Sequence, residues 1–241
     1  MIDPLGCLIS FILALCLSLI IYKFGLLTKS GCVSAFAIGF LIGALGSVWW
    51  LALLIVFALL GFAATVMGLS KKREKGLQEG THGERSYKNI LGVAVPPLIV
   101  AILNQVYPGH EWAFSVAYIA TIAVAAADTA ASEIGVKDPR VWLITTFKRV
   151  EPGTDGGISL KGTLISAAAS IIVSVIGYLF ITHTVDAWVL VPSVCGIIGC
   201  MADSYVGATI ETWGWVDKYM NNAITGLLGG VLASLVCIMW A

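Results

Sequence analysis

The chain has 241 residues, of which 59% are hydrophobic and only 12% are charged. A soluble domain carries about 25% charged residues, so the composition excludes an ordinary soluble protein and predicts an integral membrane protein. The formal net charge is zero and no long basic tract is present, so we expect membrane lipids and no nucleic acid as partners. The six cysteines are scattered through apolar segments without CxxC spacing, which indicates buried thiols and not a zinc site or a disulfide framework.

Apolar runs of about 18 to 22 residues are long enough to cross a bilayer as helices. The predicted limits of these runs are 5–22, 31–48, 50–69, 89–106, 112–131, 160–181, 187–206 and 223–240. The first run has no basic residue before it, so we expect a membrane helix and not a removed signal peptide. The sequence therefore predicts an all-α fold: a polytopic membrane bundle of seven to eight transmembrane helices, with residues 1–241 forming a single integral membrane domain.

The basic residues indicate how the helices are oriented. All fourteen Lys and Arg residues fall in four connections, which alternate with connections that hold none. These four connections are residues 22–30, 70–88, 136–161 and 207–222. The positive-inside rule predicts that they are cytoplasmic and that both termini are outside. We expect loops 70–88 and 136–161 to contribute to an active site on the cytoplasmic side of the cell membrane.

Two aspartates lie at the ends of long apolar runs, where a carboxylate is costly and is a functional-site hypothesis by default. Asp128 stands in AAADTAASEIG, residues 125–135, and Asp203 stands in MADSYVGATIE, residues 201–211. If the first segment stays helical, an arc of roughly 140 degrees holds Asp128, Thr129, Ser132 and Glu133. In the second segment, an arc of roughly 100 degrees holds Asp203, Ser204, Gly207 and Glu211. Hard oxygen ligands suit Mg2+, so the predicted cofactor is Mg2+ and the predicted metal ligands are Asp128, Glu133 and Asp203.

Two short motifs predict helix starts and an internal repeat. Residues 28–31 read TKSG and residues 159–162 read SLKG, each a hydroxyl N-cap with a lysine nearby and glycine three residues on. Further along the chain, each motif is followed by one of the two aspartate motifs, and the two together form one repeat unit. In the predicted topology, both capped helices run outward and both aspartate-bearing helices run inward, so the two units have the same orientation. We therefore expect a parallel repeat whose four helix ends converge on the cytoplasmic side.

Several residues on the predicted cytoplasmic face are candidates for binding phosphate. Gly153, Gly156 and Gly157 expose backbone amides that suit an oxyanion, and Lys148, Arg149 and Lys161 bracket them. Arg85, Lys88 and Asn89 lie near the start of the fourth helix, where the helix dipole attracts anions. Lipid headgroups are the alternative ligand for Arg85. No P-loop spelling occurs in the chain.

Four stretches together resemble one known family. They are GLLTKSG, ADTAASEIG, ITTFKRVEPGTDGGISLKGT and ADSYVGATIE. They look like the membrane family that includes the phytyl-phosphate kinases of tocopherol synthesis and their archaeal and bacterial relatives, and the match covers about residues 25–226. The resemblance implies an Mg2+-dependent kinase that uses CTP to convert a prenyl monophosphate into a diphosphate. The chain departs from the family pattern at residues 86–92, which read SYKNILG where a QVxANG-like run is expected.

The resemblance also implies roles for individual residues. It makes Asp128, Glu133 and Asp203 metal or nucleotide ligands, and it puts Lys148, Asp155, Ser159, Lys161 and Asn222 in the phosphate site. The predicted catalytic residues are Asp128, Glu133, Asp203 and Lys161. The predicted substrate-binding residues are Lys29, Arg85, Lys88, Asn89, Lys148, Thr154, Asp155, Ser159, Ser204 and Asn222.

Three alternatives stay open. A secondary transporter would also place acids within broken helices. A prenol kinase or a cytidylyltransferase-like enzyme would share much of the site, whereas the DxxDGxxAR run of alcohol phosphotransferases is absent. A prenol kinase needs a carboxylate or histidine base for the alcohol proton. No histidine joins the predicted site, because His82 is in the charged loop and His110 and His183 are on the outer side, whereas Asp155 stays open as a base. We therefore expect a prenyl phosphate as the acceptor.

Overall fold

The computed structural model describes residues 3–76 and 83–240. His82, from the charged loop, lies outside the described residues. Within the described part, the chain forms eight long helices. They are α1 Pro4–Lys23, α2 Lys29–Leu45, α3 Val48–Glu74, α4 Tyr87–Val106, α5 Glu111–Ile134, α6 Leu160–Thr182, α7 Leu190–Val206 and α8 Lys218–Trp240. Seven spans are long and apolar enough to cross a membrane, while α2 has 17 residues. The predicted polytopic all-α membrane bundle is confirmed.

Helix α5 forms the centre of the bundle. It contacts α3, α4, α6, α7 and α8, and 89% of its most apolar stretch is buried. Small residues allow this packing: a side chain at Gly199 of α7 or Gly229 of α8 would overlap Val124 of α5. Because five helices surround α5, its polar C-terminal turns face protein and not lipid.

Hydroxyl N-caps begin two of the helices, as predicted. Thr28 Oγ1 accepts a hydrogen bond from the Gly31 amide at 3.1 Å at the start of α2. Ser159 Oγ accepts one from the Gly162 amide at 3.0 Å at the start of α6. The parallel internal repeat stays a prediction, because α5 is the third helix after the first capped helix, whereas α7 directly follows the second.

The structure adds a small sheet that the sequence did not predict and corrects three helix limits. The connection 136–161 contains a small antiparallel sheet of order β2-β1-β3, formed by β1 Val141–Leu143, β2 Arg149–Val150 and β3 Gly157–Ile158. Helix α8 begins at Lys218 instead of residue 223, and α3 continues to Glu74. After Val206, the α-helix of α7 gives way to a π-helical turn, Gly207–Glu211, so the predicted arc of Asp203 to Glu211 on one regular helix is wrong.

Candidate active site

A polar cavity of about 280 Å³ lies at one end of the bundle. There α5 ends, α6 begins, α7 passes into its π-turn and α8 begins, while the loop between β2 and β3 covers the ends. Its polar or charged lining side chains are Lys72, Asp128, Ser132, Thr154, Asp155, Ser159, Thr163, Ser166, Asp203, Ser204, Glu211, Lys218, Asn221 and Asn222. Seven of the predicted site residues therefore meet in one cavity: Asp128, Thr154, Asp155, Ser159, Asp203, Ser204 and Asn222.

Asp128 and Asp203 form the centre of this cavity. Their carboxyl groups lie within hydrogen-bonding reach of each other, and the positively charged side chain of Lys218 also lines the cavity. Thr225 Oγ1 donates to Asp203 Oδ1 at 3.2 Å. With its amide nitrogen turned towards the carboxylate, Asn222 donates to the same oxygen at 3.3 Å. The first turns of α8 therefore orient Asp203 towards Asp128.

A third carboxylate, that of Glu211, borders the cavity where α7 and α8 meet. Asn221 is buried, and its Nδ2 donates to the Asp203 carbonyl and to Glu211 Oε2, at 3.1 Å each. Glu211 is the last residue of the π-turn, and the hydrogen bond from Asn221 connects its carboxylate to α8. The cavity thus has Asp128 and Asp203 together, with Glu211 at its border.

The glycine-rich loop, residues 153–157, lies directly against the π-turn. Gly156 has φ +72°, and a Cβ there would overlap the Ala208 side chain and lie 2.7 Å from the Ala208 amide nitrogen. A Cβ at Gly207 would in turn lie 3.2 Å from the Gly156 nitrogen. Only glycines allow this approach, which brings the backbone of residues 153–157 and the N-terminus of α6 to the same cavity wall. Backbone amides at such a place suit phosphate oxygens.

Glu133 is bound by basic side chains beside the cavity. Its Oε2 lies 2.9 Å from Lys72 Nζ and its Oε1 lies 3.3 Å from Arg85 Nη2. Thr65 Oγ1 also donates to Oε1 at 3.2 Å. A Cβ at Gly68 would overlap the Glu133 carbonyl, so α3 packs closely on this turn of α5. The structure therefore places Glu133 and Arg85 in an ion-pair cluster and not among the residues that line the cavity.

The remaining residues that were predicted to bind substrate lie outside the cavity lining. The side chains of Lys29, Lys88, Lys148 and Lys161 are exposed, and Asn89 is half-buried near the start of α4. Lys72 and Lys218 supply the positive charge instead. Sequence reasoning missed both, because Lys72 sits in a basic run that resembles a helix-end anchor. For Lys218, a signal was present: Lys218, Asn221, Asn222 and Thr225 have the spacing of one polar helical face.

The donor set of the cavity fits Mg2+, although the described residues contain no group of three His, Cys, Asp or Glu side chains that could hold a metal. Mg2+ commonly takes one or two carboxylates and completes its shell with water and substrate phosphates. Asp128 and Asp203 supply two such carboxylates, with the hydroxyl of Ser204 and the amide of Asn222 nearby. Glu133 does not join them, so its role as a metal ligand stays a prediction.

Comparison with known proteins places the chain in a family. The family model of the integral membrane protein DUF92 matches residues 12–229. An uncharacterised membrane protein of Methanocaldococcus jannaschii is 35% identical, over 95% of this chain and 93% of its own length. An uncharacterised membrane protein of Synechocystis is 31% identical, over 86% of this chain and 81% of its own.

A plant relative extends this range. The chloroplast protein VTE6 of Arabidopsis thaliana is 29% identical, over 87% of this chain and 65% of its own length. No solved structure matches the chain. The family expected from the four sequence motifs is confirmed, and the protein belongs to the DUF92 family of integral membrane proteins.

Proposed function

We propose that the protein is a membrane kinase that transfers the γ-phosphoryl group of CTP to a prenyl monophosphate, such as phytyl or geranylgeranyl monophosphate, and gives the diphosphate. One observation carries this proposal. Asp128 and Asp203 face each other in a cavity whose other walls are a glycine-rich loop, a helix N-terminus and the side chains of Lys72 and Lys218. Phosphoryl transfer depends mainly on positioning and on neutralising phosphate charge, and these groups supply both.

The nucleotide phosphates would bind the backbone amides of residues 153–157 and the N-terminus of α6, with Lys72 and Lys218 neutralising their charge. Asp128 and Asp203 would hold Mg2+, which when bound supplies further positive charge to the phosphates. In the transfer, an oxygen of the acceptor phosphate forms a bond to the γ-phosphorus. The bond from the γ-phosphorus to the β,γ-bridging oxygen breaks, and CDP leaves with that oxygen.

The acceptor in this proposal is a phosphate and not an alcohol. A phosphate monoester is already anionic near pH 7, so its attack needs no general base, whereas an alcohol must lose a proton. Among the described residues, the cavity lining contains no histidine, so an alcohol acceptor would need Asp155 or another lining carboxylate as its base. Repulsion between acceptor and donor phosphates calls for positive groups, and Lys72 and Lys218 lie at the cavity for this role.

The test is release of CDP from CTP by the purified protein with Mg2+. Geranylgeranyl monophosphate should support turnover far above that with geranylgeraniol, and ATP, GTP and UTP serve as competing donors. Equal rates with the alcohol would reject the phosphate acceptor. Absence of turnover with every acceptor, together with saturable flux of a solute into proteoliposomes, would favour a transporter.

We also propose that this end of the bundle faces the cytoplasm of the cell, because all the basic residues lie on this side. The exposed positions Glu151 and Thr184 lie at opposite ends of α6 and suit a labelling test. In a protein without its native cysteines, Thr184→Cys should react with an impermeant maleimide in intact cells, while Glu151→Cys should react only after lysis. The reverse pattern would contradict the orientation.

A further inference from the structure

A second cavity lies between the first four helices, apart from the carboxylate pair. Its volume is about 90 Å³, and residues of α1, α2, α3 and α4 line it. Its walls are almost entirely aliphatic or aromatic. Among the described residues that line it, Ser18 carries the single polar side chain, and its hydroxyl donates to the Cys32 carbonyl at 2.8 Å. The cavity therefore suits an apolar ligand.

The cavity is long in the direction of the helices. Its lining extends from Ala14 to Ile21 on α1 and from Leu51 to Phe62 on α3. At 1.5 Å per residue, these stretches measure roughly 10 Å and roughly 16 Å. The volume is below the ~150 Å³ of an apolar protein cavity that accepts benzene. A long, narrow space of this size fits one branched unit of a hydrocarbon chain, with the rest of the chain passing between helices.

Direct contacts connect this apolar cavity to the polar one. Leu27 lines the apolar cavity, and its neighbours on both sides pair with the backbone of Arg85: Arg85 N donates to Leu26 O at 3.2 Å and Thr28 N donates to Arg85 O at 3.1 Å. The Arg85 side chain donates to Glu133 Oε1 at 3.3 Å.

Glu133 continues the connection towards the active site. Its other carboxylate oxygen pairs with Lys72, which lines the polar cavity. Two basic side chains and one carboxylate, with a net charge of +1, therefore lie between the two cavities, where the phosphate of an amphiphilic ligand would sit if its hydrocarbon chain occupied the apolar one. A prenyl phosphate has this arrangement of charge and hydrocarbon.

We propose that the cavity between α1, α2, α3 and α4 binds part of the prenyl tail of the acceptor, with the phosphate directed past Arg85 and Lys72 towards Asp128 and Asp203. The inference rests on the proposed kinase function and adds the place where the lipid substrate is held. The carboxylate pair lies on α5 and α7, whereas the proposed tail site lies on α1 to α4. The first four helices therefore have a role in choosing the acceptor.

The test uses geranylgeranyl monophosphate with a photoreactive diazirine in its tail, added without nucleotide to the purified full-length protein in detergent. After irradiation, mass spectrometry should find the label concentrated on α1 to α4. Ala58→Leu fills the cavity from α3 and should reduce this labelling at least tenfold. Ala63→Leu adds the same volume on the exposed side of α3 and should leave it unchanged.

A smaller substitution controls for the possibility that Ala58→Leu misfolds. A Cβ at Gly39 would lie 3.5 Å from Leu51 Cδ1 and 3.8 Å from Ala14 Cβ, both ordinary contacts, so Gly39→Ala should fold and still reduce labelling about threefold. Labelling that Ala58→Leu and Gly39→Ala leave unchanged would overturn the proposal. Displacement of the label by phosphatidylglycerol, and not by unlabelled geranylgeranyl monophosphate, would also overturn it by indicating a bilayer lipid.

The outcomes also separate this inference from the kinase assignment. Specific labelling of the cavity without any CTP turnover would reject the kinase while retaining a prenyl-phosphate site. CTP turnover with the label placed elsewhere would reject the tail site while retaining the kinase.

Discussion

Asp128 and Glu133 lie five residues apart on α5, yet their surroundings differ. Glu133 is 6% exposed and has Lys72 and Arg85 on its two carboxylate oxygens. The carboxyl group of Asp128 lies within hydrogen-bonding reach of that of Asp203, in a cavity that Lys218 also lines. Glu133 is held in an ion-pair cluster, whereas Asp128 is paired with another carboxyl group.

We expect this difference to separate a structural acid, Glu133, from a ligand-binding acid, Asp128. Removing one partner from a buried ion pair leaves an uncompensated charge, so Glu133 should matter first for folding. Two neighbouring carboxylates repel each other unless a proton or a cation lies between them, so Asp128 and Asp203 should matter first for binding and catalysis. Substitution of each acid tests this division.

The largest effect is expected at the carboxylate pair. Asp128→Asn and Asp203→Asn keep the side-chain shape but remove the charge that attracts a divalent cation, so each should lower CTP turnover by about a thousandfold. Thermal unfolding of each variant should stay within a few degrees of wild type. Glu111→Gln changes an exposed acid at the opposite end of α5 and is the control, with activity unchanged. Near-native rates in both aspartate variants would make these acids structural.

Glu133→Gln should lower the stability of the protein more than the aspartate substitutions do. It leaves Lys72 and Arg85 without their counter-charge, at a cost of about 3 kcal/mol of stability, which thermal unfolding in detergent would measure. Combining it with Lys72→Met should recover part of the loss, because one unmatched charge is removed. A variant of normal stability without turnover would show instead that Glu133 acts in the chemistry.

A moderate effect is expected at the contact between the glycine-rich loop and the π-turn. Gly156→Ala would overlap Ala208, displace the loop and raise the KM for CTP about tenfold. Gly25 has a similar φ of +65° with nothing near its missing Cβ, so Gly25→Ala controls for backbone strain alone. Equal kinetics in the two variants would remove the loop from nucleotide binding.

The smallest effect concerns Asp138, outside the membrane spans. The Arg140 amide donates to Asp138 Oδ1 at 2.9 Å and lowers the pKa of this carboxyl group, aided by the charge of the Arg140 side chain. A lowered pKa stabilises the fold above the unfolded-state value of about 3.9, and the contribution is lost as pH falls through the folded-state pKa. Asp138→Asn should therefore unfold at a slightly lower temperature than wild type at pH 7. A difference that persisted unchanged under strong acid would exclude the charge as its cause.

The sequence allowed the bundle and much of the cavity to be predicted. Hydrophobic runs located all eight helices because lipid demands long apolar segments, and the spacing of Thr28 to Gly31 and of Ser159 to Gly162 identified two caps from local chemistry alone. Asp128 and Asp203 were found because a carboxylate is conspicuous in an apolar run.

Other features depend on tertiary contacts. The strands of the small sheet have two or three residues, too few to show alternation. The π-turn after Val206 covers only Gly207–Glu211, too few residues for periodicity to reveal it. Lys72 reads as one of several membrane-surface lysines until α3 is placed against Glu133.

The most direct test of the central claim follows the phosphate itself. Purified protein is incubated with γ-labelled CTP, Mg2+ and geranylgeranyl monophosphate, and the lipid product is identified by mass spectrometry. The account predicts that the label appears in geranylgeranyl diphosphate with wild type and with Glu111→Gln, and is absent with Asp128→Asn and Asp203→Asn. Labelled diphosphate formed equally well by the two aspartate variants would contradict it.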